Sequence, residues 1–137
     1  MIYLDTSAIV KLVRPEAESA DLVDWLNGRE GQPMVTSKLA EVELPRALRR
    51  DEPARLAAVP GVLARLNRID IDDPVRATAG AYPFRHLRSL DAIHLATADQ
   101  LVASGHVVDG FVTYDTRLAD VAGEIGLPVN APGQPSG

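Results

Sequence analysis

The chain has 137 residues, 46% of them hydrophobic and 24% charged, contains no cysteine, and carries a formal net charge of −5. That length fits one domain able to bury a core, and the lack of cysteine excludes disulfides, thiolate zinc sites and a cysteine nucleophile. The acidic balance argues mildly against a polyanionic partner, because nucleic-acid binders draw affinity from neutralising phosphates, although arginines crowd the middle of the chain from Arg46 to Arg88.

The elements follow from short apolar runs that alternate with helical patterns. Ile2 to Leu4 reads as a first strand, followed by Asp5-Thr6-Ser7 and a helix that Pro15 breaks. A second helix is expected from about Glu16 to Asn27, with Val23, Trp25 and Leu26 available for the core. After the loop Gly31-Gln32-Pro33 come a strand at Met34 to Thr36 and a helix capped by Ser37 that carries Leu39, Leu44, Ala47 and Leu48. Asp51-Glu52-Pro53 reads as the start of another helix, which Pro60-Gly61 interrupts. Ile69 to Ile71 is the expected third strand, and Asp72-Asp73-Pro74 opens a further helix. Ser89-Leu90-Asp91 opens the most regular one, with Ile93, Ala96, Leu101 and Val102 as its apolar side. Phe111 to Tyr114 is a fourth strand ending at Asp115. A helix with Leu118, Val121, Ala122 and Ile125 follows, Gly126 stops it, and a short fifth strand begins at Leu127-Pro128-Val129.

This alternation predicts an α/β fold, a parallel sheet flanked by helices, with ligands bound beyond the carboxyl ends of the strands. Residues 1–130 read as a single domain, and 131–137 as a turn-rich, frayed tail. The segment Met1 to Asp5 shows no basic leader or long apolar run, and no stretch approaches the roughly 18 apolar residues of a membrane span. A cytoplasmic protein without membrane contact is therefore expected.

Four acids occupy positions that chemistry could use. Asp5 and Asp115 directly follow the first and fourth strands, where each is also a natural helix N-cap. Asp91 lies in the first turn of its helix, where the helix dipole favours a carboxylate. On the helix after the second strand, with Leu39 at zero and about 100° per residue, the apolar side chains span roughly 0° to 180°. Glu43 falls near 40°, inside that arc, and Glu41 near 200°, at its margin. An ionised glutamate facing a core is costly unless it is paired or bound to a metal.

Four carboxylates converging from separate segments would repel, and a divalent cation would offset that repulsion. Hard oxygen donors point to Mg²⁺ or Mn²⁺ rather than zinc, and His86, His94 and His106 form no H-E-x-x-H pattern. Such an ion can activate water toward a phosphodiester. The chain has no G-x-S-x-G elbow, P-loop or G-x-G-x-x-G fingerprint.

At these residues the chain resembles the PIN-domain family. "MIYLDTSAIVKL", "VTSKLAEVELPRALRR", "LRSLDAIHLATA" and "FVTYDTRLADVAGEIGLPV" are similar, in order, to the family's four acidic segments, and the nearest likeness is to VapC-type toxins of bacterial toxin–antitoxin pairs. The resemblance implies an α/β/α sandwich around a mostly parallel, five-stranded sheet. It implies a metal-dependent endoribonuclease, with Asp5 and Asp91 as first metal ligands and Glu43 and Asp115 completing the set around Mg²⁺ or Mn²⁺. Glu43 matches the second acid, six residues after Ser37. Thr6 and Thr113 would orient these acids or a water. The partners implied are an RNA substrate, a small VapB-like antitoxin and a second copy of the chain. Arg46, Arg85 and Arg88 are candidate phosphate contacts, His94 is expected to have a structural hydrogen-bonding role, and Pro45 is expected to kink the helix that carries Glu43. Two rivals stand beside this reading: a phosphatase using Asp5 as nucleophile, which would normally need a second acid where Ser7 stands, and a PIN-like binding module without activity.

Overall fold

The structure, a computed structural model, describes residues 1–135. Its five strands are β1 (Ile2–Leu4), β2 (Met34–Ser37), β3 (Asn67–Ile69), β4 (Gly110–Val112) and β5 (Val129–Asn130). They form one sheet of order β3-β2-β1-β4-β5, in which every adjacent pair is parallel. The seven α-helices among the described residues are α1 (Thr6–Val13), α2 (Ser19–Asn27), α3 (Ala40–Asp51), α4 (Val59–Leu63), α5 (Asp73–Ala81), α6 (Ser89–Ala103) and α7 (Thr116–Glu124).

Strand alternation splits the core in two. Ile2, Leu4 and Val112 point to one face, where they meet Ala8 and Ile9 of α1, Leu22 of α2, Leu44 and Leu48 of α3, and Val59 and Leu63 of α4. Tyr3, Val35 and Phe111 point to the other, against Leu95 and Ala98 of α6 and Leu118 and Ala122 of α7. The central strands β1 and β4 are buried on both sides, so they read as continuous apolar runs. The α/β/α sandwich around a parallel five-stranded sheet is therefore the observed architecture.

Because β1 lies in the middle and the chain moves outward to β2 and β3 before returning to β4 and β5, the strand order reverses between β1 and β4. The crevice outside the carboxyl ends of those two strands is where this architecture binds ligands.

Several boundaries differ from the sequence expectation. β3 lies two residues earlier than expected, at Asn67–Ile69, because it is an edge strand whose exposed Asn67 and Arg68 hide the apolar pattern. Tyr114 is not in β4, since Thr113 and Tyr114 already turn toward the cap of α7. The segment from Pro53 to Ala58 is a 3₁₀ helix, and Asp51 ends α3 rather than starting a helix. Pro60 and Gly61 lie inside α4, because Pro60 falls in its first turn, where proline costs no hydrogen bond. In α2 it is Leu22 that is buried, while Val23 is exposed. On α6 the buried run is Ala92 with His94 to Ala98, and Val102 is exposed, because α6 is sandwiched between the sheet and α5.

Asp72 caps α5 by accepting from the Val75 amide at 3.1 Å. Its replacement by alanine is expected to cost about 1 kcal/mol in urea unfolding, the usual worth of an N-cap. The stretch after Asn130, expected as a frayed tail, makes a turn in which Gln134 N donates to Ala131 O at 3.0 Å, and the Tyr114 hydroxyl donates to Pro132 O at 2.7 Å. Positions 136 and 137 lie outside the described residues. Among the described residues no helix is long and apolar enough to cross a membrane.

Candidate active site

Asp5, Glu43, Asp91 and Asp115 line one cleft of about 760 Å³, together with Thr6, Ser7, Arg46, Arg50, Arg88 and His94. It opens at the switch point between β1 and β4. Asp5 follows β1 and caps α1, and Asp115 follows β4 and caps α7. Asp91 sits in the first turn of α6 and Glu43 in that of α3. The cap and the site readings of Asp5 and Asp115 are thus compatible, because a helix that begins where a strand ends puts its capping carboxylate at the crevice.

Asp5 is the most enclosed of the four, at 3% exposure. Its Oδ1 accepts from Ser7 Oγ at 2.7 Å and from the Ala8 amide at 3.0 Å. Its Oδ2 accepts from Thr113 Oγ1 at 2.6 Å. Burial pushes the Asp5 carboxyl above the usual carboxylate range, although His94 and these donors act in the opposite direction. Ser7 also accepts from the Tyr114 amide at 2.9 Å and so ties the carboxyl end of β4 to that of β1. Sequence reasoning missed this role for Ser7; a serine two residues after a strand-end aspartate is the signal that was available.

Glu43 accepts on Oε1 from Thr6 Oγ1 at 2.6 Å and from His94 Nε2 at 2.8 Å. Burial raises its carboxyl, but the hydrogen bonds from His94 and Thr6, with the electrostatic pull of His94 and Arg88, hold it below the usual range. The helical-wheel position of Glu43 therefore matches its half-buried place, while Glu41 is exposed and paired with Arg68 at 2.9 Å. Pro45 does not interrupt α3, which runs helically from Ala40 to Asp51, and Glu43 reaches the cleft. Thr6 and Thr113 each hold one of the acids, as their positions suggested, and His94 is a buried hydrogen-bonding residue.

Arg88 joins the remaining two acids. Its Nε lies 3.2 Å from Asp91 Oδ2 and its other guanidinium nitrogen 2.9 Å from Asp115 Oδ2. Burial first, and then the charge of Asp115, raise the Asp91 carboxyl, with Arg88 opposing both. Arg46 lines the cleft as expected, and so does Arg50. Arg85 does not, because it belongs to a separate hollow with Phe84, Leu87 and Arg117.

The four acids share a cleft but do not form a closed shell. Among the described residues no three acids or histidines stand close enough to hold one ion. Arg88 stands between Asp91 and Asp115, and the Asp5 oxygens are turned to three protein donors, so the expected four-carboxylate shell is not assembled in this arrangement. The electrostatic reason is that neighbouring carboxylates need compensating charge, and the guanidinium supplies it. In donor chemistry the residues fit a hard divalent ion: the donors are all oxygen, and burial opposes ionisation of Asp5, Glu43 and Asp91.

That opposition has a measurable sign. A carboxyl whose folded pKa is raised binds its proton more tightly in the folded state, so it lowers stability as pH rises through the window between its unfolded and folded values. In metal-free protein, Asp91→Asn is therefore expected to match the parent at about pH 4, near the unfolded carboxylate pKa. It should then become the more stable of the two as pH increases, by a few degrees in Tm. A gap that shrinks with rising pH would show that Arg88 over-compensates the charge.

Comparison with known proteins agrees with this fold. The PIN-domain family profile matches residues 2–124. Ribonuclease VapC35 of Mycobacterium tuberculosis is 56% identical over 134 residues, covering 98% of this chain and 98% of that protein. Among solved structures, a toxin–antitoxin complex from Klebsiella pneumoniae has a chain with a TM-score of 0.67 at 20% identity, covering 96% of this chain and 98% of that one. VapC20 of Mycobacterium tuberculosis, described as a sarcin–ricin-loop-cleaving toxin, has a TM-score of 0.69 at 16% identity over 93% of this chain and 96% of its own. At those identities the two structures speak for the fold alone.

Proposed function

The chain belongs to the PIN-domain family and is a VapC-type endoribonuclease toxin, and from that premise we propose that Asp5, Glu43, Asp91 and Asp115 are its catalytic residues and bind Mg²⁺, with Mn²⁺ as a substitute. What supports this reading is the convergence of four acids from four separate elements on one cleft at the reversal of strand order.

Asp5 and Asp91 would be the first metal ligands, with Glu43 and Asp115 completing the set. A divalent ion held there would supply a water made nucleophilic near neutral pH and charge to offset that on the phosphodiester. The chain's own residues do the rest. Ser7, Thr113 and the Ala8 amide hold Asp5 in one orientation, and Thr6 and His94 hold Glu43. Arg46, Arg50 and Arg88 line the same cleft and hold the RNA phosphates, which explains how a chain of net charge −5 engages a polyanion. Four carboxylates face these three arginines, so a bound divalent ion would be what tips the cleft toward positive charge.

A small VapB-like antitoxin is the regulatory partner. Val42 and Leu90, 58% and 50% exposed at the rim of the cleft, offer it apolar contact beside the arginines. The protein acts in the cytoplasm, and a second copy of the chain is the remaining partner.

The test is RNA cleavage by purified, partner-free protein with Mg²⁺ or Mn²⁺, with EDTA and Asp5→Asn as controls. Cleavage that needs the ion and the carboxylate is expected. Release of phosphate from small esters without RNA cleavage would replace this reading with a phosphatase, and the absence of any ion-dependent activity would replace it with a binding module.

A further inference from the structure

A hydrogen-bonded line runs from the centre of the sheet to the cleft. It begins at the Tyr3 hydroxyl on β1, which lies 2.7 Å from His94 Nδ1 on α6. It continues from His94 Nε2 to Glu43 Oε1 at 2.8 Å, and Thr6 Oγ1 stands 3.1 Å from the same ring nitrogen. Tyr3 is fully buried and His94 is 2% exposed. Tyr3 also stacks on Phe111, with ring centroids 5.2 Å apart and planes 5° from parallel, and meets the His94 ring edge-on at 5.9 Å. Neither ring can turn without disturbing the core.

The chemistry of the partners decides where the imidazole proton sits. Glu43 Oε1 is an acceptor, so a bare Nε2 lone pair 2.8 Å away would be repelled, and Nε2 must carry hydrogen. The buried Tyr3 hydroxyl needs an acceptor for its own proton, and Nδ1, 2.7 Å away, is the atom its hydrogen bond meets. The tautomer is thus the one with hydrogen on Nε2, and its donor is aimed at Glu43.

We propose that His94, anchored through Nδ1 by Tyr3, is a positioning residue that fixes the Glu43 carboxylate for ion binding. It clamps Oε1 together with Thr6 and leaves Oε2, which no protein donor meets among the described residues, to the cleft. The same clamp explains how a glutamate on a proline-containing helix keeps one orientation. This inference rests on the metal-site reading above and adds to it the His94 tautomer and Tyr3, which lies wholly in the core. Loss of such an outer partner typically weakens ion affinity by about 10–100-fold.

The test uses the two amide isosteres of histidine. Glutamine places its side-chain nitrogen near the Nε2 position and asparagine near Nδ1. In His94→Gln, Mg²⁺ affinity measured by calorimetry on the full chain is expected to stay within about 3-fold of the parent, and in His94→Asn to fall by about 10–100-fold. Tm is recorded for both. Equal affinity in His94→Asn and the parent overturns the proposal, as does an equal loss in both variants that tracks an equal fall in Tm. Long-range ¹H–¹⁵N spectra of the metal-free parent give a second measurement that needs no variant and no ion. Hydrogen on Nε2 with a bare, hydrogen-bonded Nδ1 that loses its hydrogen-bonded shift in Tyr3→Phe supports the proposal, and hydrogen on Nδ1 alone overturns it. If the parent binds no Mg²⁺ at all, the metal-site reading fails, and the spectra still decide what His94 does.

Discussion

Asp5→Asn is expected to lower ion-dependent RNA cleavage by about three orders of magnitude while the protein stays folded. Several kcal/mol of transition-state stabilisation come from a catalytic ion, and each 1.36 kcal/mol is a factor of ten in rate. The substitution removes the charge and keeps the shape. The amide oxygen can take the place of Oδ1 and accept from Ser7 Oγ and the Ala8 amide, which preserves the cap of α1. The amide nitrogen then faces Thr113 Oγ1, which now donates to Oδ2 and would have to accept instead; its proton can turn toward Ser7 Oγ, 3.5 Å away. Since burial disfavours the ionised form of Asp5, neutralising it removes a penalty from the folded state. A stable, inactive protein is the expected outcome of gel-based cleavage read beside thermal unfolding. A stable protein that cleaves RNA at the parental rate would show that the Asp5 charge has no part in the reaction.

Phe111→Ala should have the largest effect on stability, about 3–5 kcal/mol in urea unfolding, the usual range for a buried phenylalanine. Phe111 is fully buried on β4, between β1 and β5, and its ring lies flat against Tyr3. Truncation leaves a cavity in the middle of the second core cluster, with Leu95 and Leu118 on the facing helices. Against a total of about 5–15 kcal/mol, that loss is a large fraction. It should also loosen Tyr3 and, through it, His94. A cost below about 1 kcal/mol would mean that α6 and α7 collapse onto the sheet without strain.

The elements that were legible in the sequence are those whose local pattern coincides with their tertiary role. β1 was read correctly because Ile2 to Leu4 is buried on both faces, and β4 in part, because Gly110 to Val112 is too. Glu43 was separable from Glu41 because a helix with one buried side makes an acid on that side conspicuous. β3 was misplaced because an edge strand can be polar, and α4 was missed because its proline lies in a first turn. On α6 the burial of Ala92 and of His94 to Ala98 follows no single apolar stripe, since a helix packed on two sides is buried nearly all round.

The residues alone determined the chemistry available: four carboxylates after strands or at helix starts, no thiol, no competing nucleophile, and family motifs in order. Only the tertiary structure decided which partners those carboxylates meet. Arg88 between Asp91 and Asp115, Ser7 and Thr113 on Asp5, and Tyr3 behind His94 are contacts between residues up to 108 positions apart, with the exception of neighbours such as Ser7 and Asp5. Periodicity reports which side of an element is buried, through solvent exclusion along one segment. The direction of a hydrogen bond across the sheet depends on strand order, and strand order is a property of the whole chain.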